Sequence, residues 1–339
     1  MRAWTVRQLG EPAEALRLED VKEPTPGPGE VAVEVAACGL NFADILLCRG
    51  QYQQRPPLPF TPGLEASGRI VAIGEGVRDR AFGQRVIAVP RLPHGGLADR
   101  LITAAAATYP IPDDLDDVAA AALHISYQTS WFALHRRASL RPGEWLLVHA
   151  AAGGVGSAAV QLGVAAGARV IATAGGAEKV ELCRRLGAEV VVDYSAEDFV
   201  PVVQRVTGGH GADVVYDPVG GDTFDRSRKV IAWEGRLLVI GFASGRIPEV
   251  PANHLLVKNY AVVGLHWGAY TDRDPTAVAE CHAELVRLHG EGAIAPVVFT
   301  VLGLEEAVEG LTLLGSRRTF GKVVVRPDAG RQPDGSTPR

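Results

Sequence analysis

The chain has 339 residues, 47% hydrophobic and 22% charged, with a formal net charge of −5. That length favours two domains over a single core, and that acidity argues against nucleic acid as the main partner. Four scattered cysteines, Cys38, Cys48, Cys183 and Cys281, form no C-x-x-C pair, which points to reduced thiols rather than a disulfide framework.

The start, Met1-Arg2-Ala3-Trp4-Thr5-Val6-Arg7, lacks the apolar core of a signal peptide. No run of about 18 apolar residues is long enough to span a membrane, and the Ala-rich stretch 118–123 falls well short. A cytoplasmic protein is expected.

Residues 1–110 read as a compact β domain. Val31–Ala37 alternates with period two, Gly68–Gly74 is a short apolar run between glycines, and Arg85–Val89 is a third such run. Turns rich in Pro and Gly, such as Pro24–Gly29, punctuate them. Between the first two strands the middle of Gly39–Tyr52 predicts a helix, with Asn41 placed to cap it. Residues 111–143 form a connector with one helix starting at Asp116-Asp117 and a second over 125–134.

From residue 145 the pattern alternates strand and helix: strands at 145–149, 169–174, 189–192, 213–217 and 236–240. Helices lie between them, running to 166 and then over 178–186, 197–207 and 222–232. A further strand follows at 260–265, then helices near 274–291 and 304–314 and a last strand at 321–325. The fold class is α/β, a β-rich domain joined to a doubly wound parallel sheet of Rossmann type. Residues 327–339, polar and rich in Pro and Gly, read as a disordered tail.

The stretch Leu146–Gly156 runs from a strand through small residues into Ser157–Gly163, a helix. Aligned to G-x-G-x-x-G, its three positions are Ala151, Gly153 and Gly156, with alanine in place of the first glycine. Such a turn suits a dinucleotide pyrophosphate, because bare backbone and free helix N–H groups face the anion. An NAD site carries an acid about 20 residues further on, bonded to the ribose 2′-hydroxyl. Here that place falls in Ile171–Gly176, which has no acid, and Lys179 follows with a cation for a 2′-phosphate. The expected cofactor is NADPH.

The order of Pro-Gly-Pro-Gly-Glu-Val, Gly-Leu-Asn-Phe-Ala-Asp, Pro62–Gly68, Gly83–Val86 and the Ala-Ala-Gly-Gly-Val-Gly turn resembles the medium-chain dehydrogenase/reductase superfamily. Within it the chain is most similar to the zinc-independent quinone oxidoreductase (zeta-crystallin-like) family, over roughly residues 1–326. The resemblance implies a GroES-like catalytic domain from 1–122 and 266–326, with a Rossmann NADPH domain over 123–265. It places Ala152, Gly153, Gly154, Val155 and Gly156 on the pyrophosphate and Gly175 in the cofactor site, where the Ser or Thr hydroxyl that the family often has near Gly175-Gly176 is missing. Lys179, Tyr194 and Arg317 would surround the 2′-phosphate, and Lys322 is a further nucleotide contact.

Thr129, Phe242, Leu265 and Trp267 would lie near the nicotinamide or its ribose. For Thr129 the alternative is a helix-surface hydroxyl, and for Phe242 a packed core ring. The substrate cleft would involve Asn41 as a donor to a carbonyl oxygen and Tyr52 as donor and stacking ring, with Asp44 close by.

Zinc enzymes of the superfamily carry a cysteine ligand at the position of Asn41 and a histidine ligand at that of Leu64. Residues 85–110 also hold no cysteine, so a metal-free site is expected. Without a Lewis acid, hydride addition to a quinone or an enone is the easier chemistry. The alternatives are a reductase of 2-enals, enones or enoyl thioesters, with Arg49, Arg55 and Arg91 as candidate contacts for a thioester arm although solvated surface charges are the preferred reading of them, and an NADPH-binding structural protein with little turnover. The resemblance also implies a homodimer paired through the strand near 260–265.

Overall fold

The computed structural model describes residues 1–328; residues 329–339 of the expected tail lie outside the described residues. The chain forms two compact units, one of residues 1–124 with the segment from Val297 onward, the other Ile125–Pro296. The return to the first unit, expected near residue 266, comes at Val297, so the helix Pro275–Gly290 belongs to the second unit. Its buried face explains why: Val278 and Leu285 are fully covered, and Gln128 donates to the Val278 carbonyl at 2.9 Å.

The first unit is built on a seven-stranded sheet. Its strands run in the order Val298–Gly303, Lys322–Arg326, Glu30–Gly39, Ala66–Ile73, Arg85–Ala88 and Thr108–Pro110, with Arg100–Ala104 also paired to Glu30–Gly39. Arg2–Val6 and Leu16–Asp20 make a separate antiparallel pair. Val31, Val33 and Val35 face one core with Leu40, Ile45, Val323 and Val325, while Glu34 between them is exposed, as a period-two pattern requires. Burying each such side chain contributes about 1.5–3 kcal/mol.

Lys322–Arg326 runs antiparallel to Glu30–Gly39, with Val324 opposite Gly39. That register sets Lys322 beside Asn41, and the Leu40 N–H donates to the Val323 carbonyl at 2.9 Å.

The second unit is a six-stranded, wholly parallel sheet in the order Val190–Asp193, Arg169–Ala174, Trp145–Val148, Ala212–Asp217, Ile231–Val239 and Ala261–Gly264. Numbered along the chain this is 3-2-1-4-5-6, the Rossmann order. The expected helix over 222–232 stops at Ser227, and the following strand starts early, at Ile231. The strand absorbs the difference as a register shift between Ala212 and Val214 of its neighbour, near Glu234 at φ 57°. The two helices expected around 117–134 are one, Asp117–Trp131, which passes into a π-helical turn, Phe132–Arg137. No Gly or Pro interrupts 117–131, so nothing in the backbone breaks the helix. A short helix that the pattern did not reveal spans Ala252–Lys258.

Candidate active site

In the second unit the strand Trp145–Val148 is followed by His149, and the turn that begins there delivers the helix Gly154–Ala165. The left-handed residue of the turn is Ala150, at φ 49°, which costs about 1–2 kcal/mol in a residue with a Cβ. Ala151 therefore needs no glycine freedom; it is fully buried and donates its N–H to the Thr173 carbonyl at 3.0 Å. This is how alanine replaces the first glycine of the motif.

Gly156 has no such latitude, because a Cβ there would stand 2.2 Å from the Ala150 carbonyl oxygen and 2.8 Å from the Ala151 Cα. Gly153 occupies the N-cap, and no side chain caps the helix. The first-turn N–H groups are left to an external anion, and a dinucleotide pyrophosphate fits this cradle.

The turn is braced by buried hydroxyls. Ser130 donates to the Val155 carbonyl at 2.9 Å, which spends its only hydrogen, so the Tyr216 hydroxyl donates to Ser130 Oγ at 2.9 Å. Thr129, next to Ser130, is half-buried in the last turn of the helix Asp117–Trp131. Trp267, nearly buried, donates its indole N–H to the Gln128 side-chain oxygen at 3.3 Å. Leu265 is half-buried and its N–H meets the Val239 carbonyl at 3.1 Å. Phe242 is 38% exposed; its ring lies 3.0 Å from where a Cβ on Gly220 would be, so it packs on that glycine without entering a core.

At the end of the next strand, a Cβ on Gly175 would lie 2.7 Å from Tyr194 Cζ and Oη. Only glycine lets that exposed phenol ring settle there. Lys179 stands in the first turn of the helix Ala177–Arg185, half-buried, with its ammonium pushed below the ordinary lysine value by desolvation. The structure thus brings Gly175 and Tyr194 together on the helix-bearing side of this turn, with Lys179 one turn along, whereas Arg317 belongs to the first unit. Arg317 is exposed and left-handed, φ 59°, one residue beyond the cap of Ala307–Gly315.

Sequence reasoning missed Asp193. No acid ends the strand Arg169–Ala174, but Asp193 ends its neighbour and accepts the Gly176 N–H at 3.1 Å. It also accepts the Ser195 N–H at 3.0 Å and hydroxyl at 2.5 Å, and the hydroxyl bond is the main reason its carboxyl is held below the usual range. The signal was present as Asp-x-Ser, a turn in which an acid accepts from the residue two further on.

In the first unit Asn41, Asp44, Glu65 and Lys322 form one buried or half-buried cluster. Asp44 is fully buried, and both its oxygens accept backbone N–H groups, from Asn41 at 2.8 Å and Gly63 at 2.9 Å. Burial pushes its carboxyl up to about 6. It ties the start of the helix Phe42–Cys48 to the Pro62-Gly63 turn, close to Asn41 as expected. Asn41 is not the expected donor. Its Nδ2 hydrogens go to the Gly39 carbonyl at 3.1 Å and Glu65 Oε1 at 2.9 Å, while its Oδ1 accepts from Lys322 Nζ at 2.6 Å.

Lys322 is correspondingly engaged, its ammonium 2.5 Å from Glu65 Oε1, with side-chain exposures of 5% and 0% for the pair. Tyr52, like Leu64, lies half-buried against the core, with its phenol raised by burial and by the Asp44 charge, so it stays a protonated donor. Among the described residues no group of three or more His, Cys, Asp or Glu side chains is arranged to hold a metal.

Comparison with known proteins agrees with these features. The family model for the alcohol dehydrogenase GroES-like domain matches residues 27–113, and that for a zinc-binding dehydrogenase matches 154–284. A quinone oxidoreductase-like protein 2 homolog from Nematostella vectensis is 41% identical, over 96% of this chain and 88% of its own. The crystal structure of Escherichia coli quinone oxidoreductase complexed with NADPH superposes with a TM-score of 0.90 at 31% identity, covering 96% of this chain and all of the other. The Thermus thermophilus quinone oxidoreductase, also solved with NADPH, gives 0.82 at 38% identity, with 96% and 100% covered. The chain belongs to the quinone oxidoreductase branch of the medium-chain dehydrogenase/reductase superfamily, with a GroES-like first unit and a Rossmann second unit.

Proposed function

We propose that this protein is an NADPH-dependent oxidoreductase that delivers hydride to a quinone or a related conjugated carbonyl, without zinc. The observation that carries the reading is the uncapped helix start at Gly153–Gly156, together with an adenosine-end turn that offers Lys179 and has no acid within Arg169–Gly176. NADPH bound in other members of the family supports it. When bound, that cofactor supplies the hydride. The chain's part is to seat the pyrophosphate on the Gly154, Val155 and Gly156 N–H groups and to meet the 2′-phosphate with Lys179 and Tyr194. Thr129, Phe242, Leu265 and Trp267 are assigned to the nicotinamide end, and Arg317 to the phosphate.

For the acceptor, Tyr52 offers a phenol donor and a stacking face. Negative charge arriving on a quinone or enone oxygen delocalises, so a hydrogen bond suffices where an alcohol would need a Lewis acid. The amide of Asn41 and the side chain of Leu64 support the metal-free reading. The thioester alternative loses one contact, since Arg49 pairs with Glu11 at 2.8 Å.

The strand Ala261–Gly264 ends the parallel sheet, and we assign to it the pairing edge of a homodimer. No helix among the described residues is long and apolar enough to cross a membrane. All four cysteines are free and buried, which suits the cytoplasm.

The test is a panel: NADPH and NADH oxidation against quinones, 2-enals, enones and enoyl thioesters, with and without EDTA. The reading expects NADPH well ahead of NADH, quinones turned over and EDTA without effect. Tight NADPH binding with no turnover on any acceptor would instead mark a structural protein.

A further inference from the structure

Lys322 and Glu65 form an ion pair that water hardly reaches. Taking two charges out of water costs more than their attraction returns unless further hydrogen bonds complete the arrangement, so such pairs are poor devices for stability. Here both charges bond one further side chain. Lys322 Nζ donates to Asn41 Oδ1, and Glu65 Oε1 accepts from Asn41 Nδ2. The two charges therefore grip the two ends of one amide, and the Gly39 carbonyl takes the remaining Nδ2 hydrogen.

A flipped amide would turn Nδ2 toward the ammonium and Oδ1 toward the carboxylate, which sets like against like at both contacts. The orientation is thus settled by charge.

The inventory of Asn41 then has one vacancy. An amide has two N–H donors and two carbonyl lone pairs; both donors and one lone pair are spent. The half-exposed side chain has only an acceptor left to offer.

We propose that Lys322 and Glu65 are positioning residues that lock the Asn41 amide as a hydrogen-bond acceptor, so that Asn41 selects a hydroxyl on its ligand. Lys322 acts through Asn41 and does not contact the nucleotide. The shared chemistry is an O–H donor, from a sugar hydroxyl of the cofactor or from the hydroxyl of a reduced, hydroquinone-like product. The proposal rests on the oxidoreductase reading for these ligands, while the locked amide itself does not depend on it.

The experiment is a binding cycle on the full chain, with NADPH and 1,4-benzohydroquinone as separate probes. The variants are Asn41→Leu, the double Lys322→Met/Glu65→Gln, which removes both charges together, and the triple combination. Asn41→Leu is expected to weaken one probe at least tenfold, and the probe that moves identifies the source of the hydroxyl. The double variant should weaken the same probe, and the triple should lie within twofold of Asn41→Leu, because both changes remove one interaction. A further tenfold loss in the triple would show Lys322 touching ligand directly and overturn the proposal; so would unchanged binding of both probes in Asn41→Leu.

A second readout needs neither ligand nor turnover. The Asn41 side-chain amide protons should be protected from solvent exchange in the native chain and exchange at least tenfold faster in the double variant. A freely exchanging Asn41 in the native chain would sink the locked amide even if the quinone panel succeeded. A failed panel with a protected amide would leave the lock standing and remove only the assigned chemistry.

Discussion

His149 Nε2 donates to Ser227 Oγ across 2.8 Å. The direction follows from the serine, whose own hydrogen goes to the Thr223 carbonyl at 2.7 Å. Nδ1 is then the bare nitrogen and accepts from Thr173 Oγ1 at 3.1 Å. The imidazole, fully enclosed against the Phe199 ring, pins the residue before the pyrophosphate turn to two neighbouring elements.

Because both ring nitrogens are committed to this neutral form, burial pushes the His149 imidazole down to about 3. A depressed histidine gives stability that is complete above its unfolded value near 6.5 and is lost as pH falls toward 3. Urea denaturation between pH 6.5 and 4 should show a loss from this group of about 1.4 kcal/mol per pH unit. His149→Gln should flatten that slope; an identical slope in the variant would assign it to other groups.

Asp44 has the opposite sign. Its carboxyl is raised to about 6, so the folded state holds the proton more tightly, and the stability this gives below pH 3.8 is lost as pH rises through about 6. Asp44→Asn should abolish that fall, read as the difference in urea midpoint between pH 4 and 6.5. It should leave the acceptor KM within about twofold, because both carboxylate oxygens are already taken up by backbone N–H groups.

Gly156→Ala drives a methyl group into the Ala150 carbonyl, and a backbone atom cannot swing aside as a side chain does. About 3 kcal/mol of stability should be lost, the upper end for overpacking. NADPH affinity measured by titration should fall by more than tenfold. Gly153→Ala, whose Cβ would lie 3.3 Å from the same oxygen, should be milder in stability.

Lys179→Ala should weaken NADPH about tenfold to a hundredfold, the worth of a charge-assisted phosphate bond, and leave NADH within about twofold. Equal weakening of both nucleotides would place the lysine elsewhere than on the 2′-phosphate.

The Rossmann half was legible because its information is local. Most strands, turns and helices from Trp145 to Gly264 announce themselves within a dozen residues, the helix Ala252–Lys258 excepted, and small residues at 153 and 156 mark where backbone must come close. The absence of an acid at the end of Arg169–Ala174 was equally plain. The early start of the strand at Ile231 was not, because its register is set by a neighbouring strand and not by its own periodicity.

Sequence by itself determined the order of most elements and the place of the glycine turn between Trp145–Val148 and Gly154–Ala165, because those signals are local. Tertiary structure decided what the polar residues of the first unit do. Lys322 reaches Asn41 across 281 residues of chain and Glu65 across 257, through the register that sets Val324 opposite Gly39. The same folding buried Asp44 on two backbone N–H groups and turned Asp193 onto Gly176. Which hydrogens of an amide remain free depends on partners gathered from distant strands, and no local pattern encodes that count.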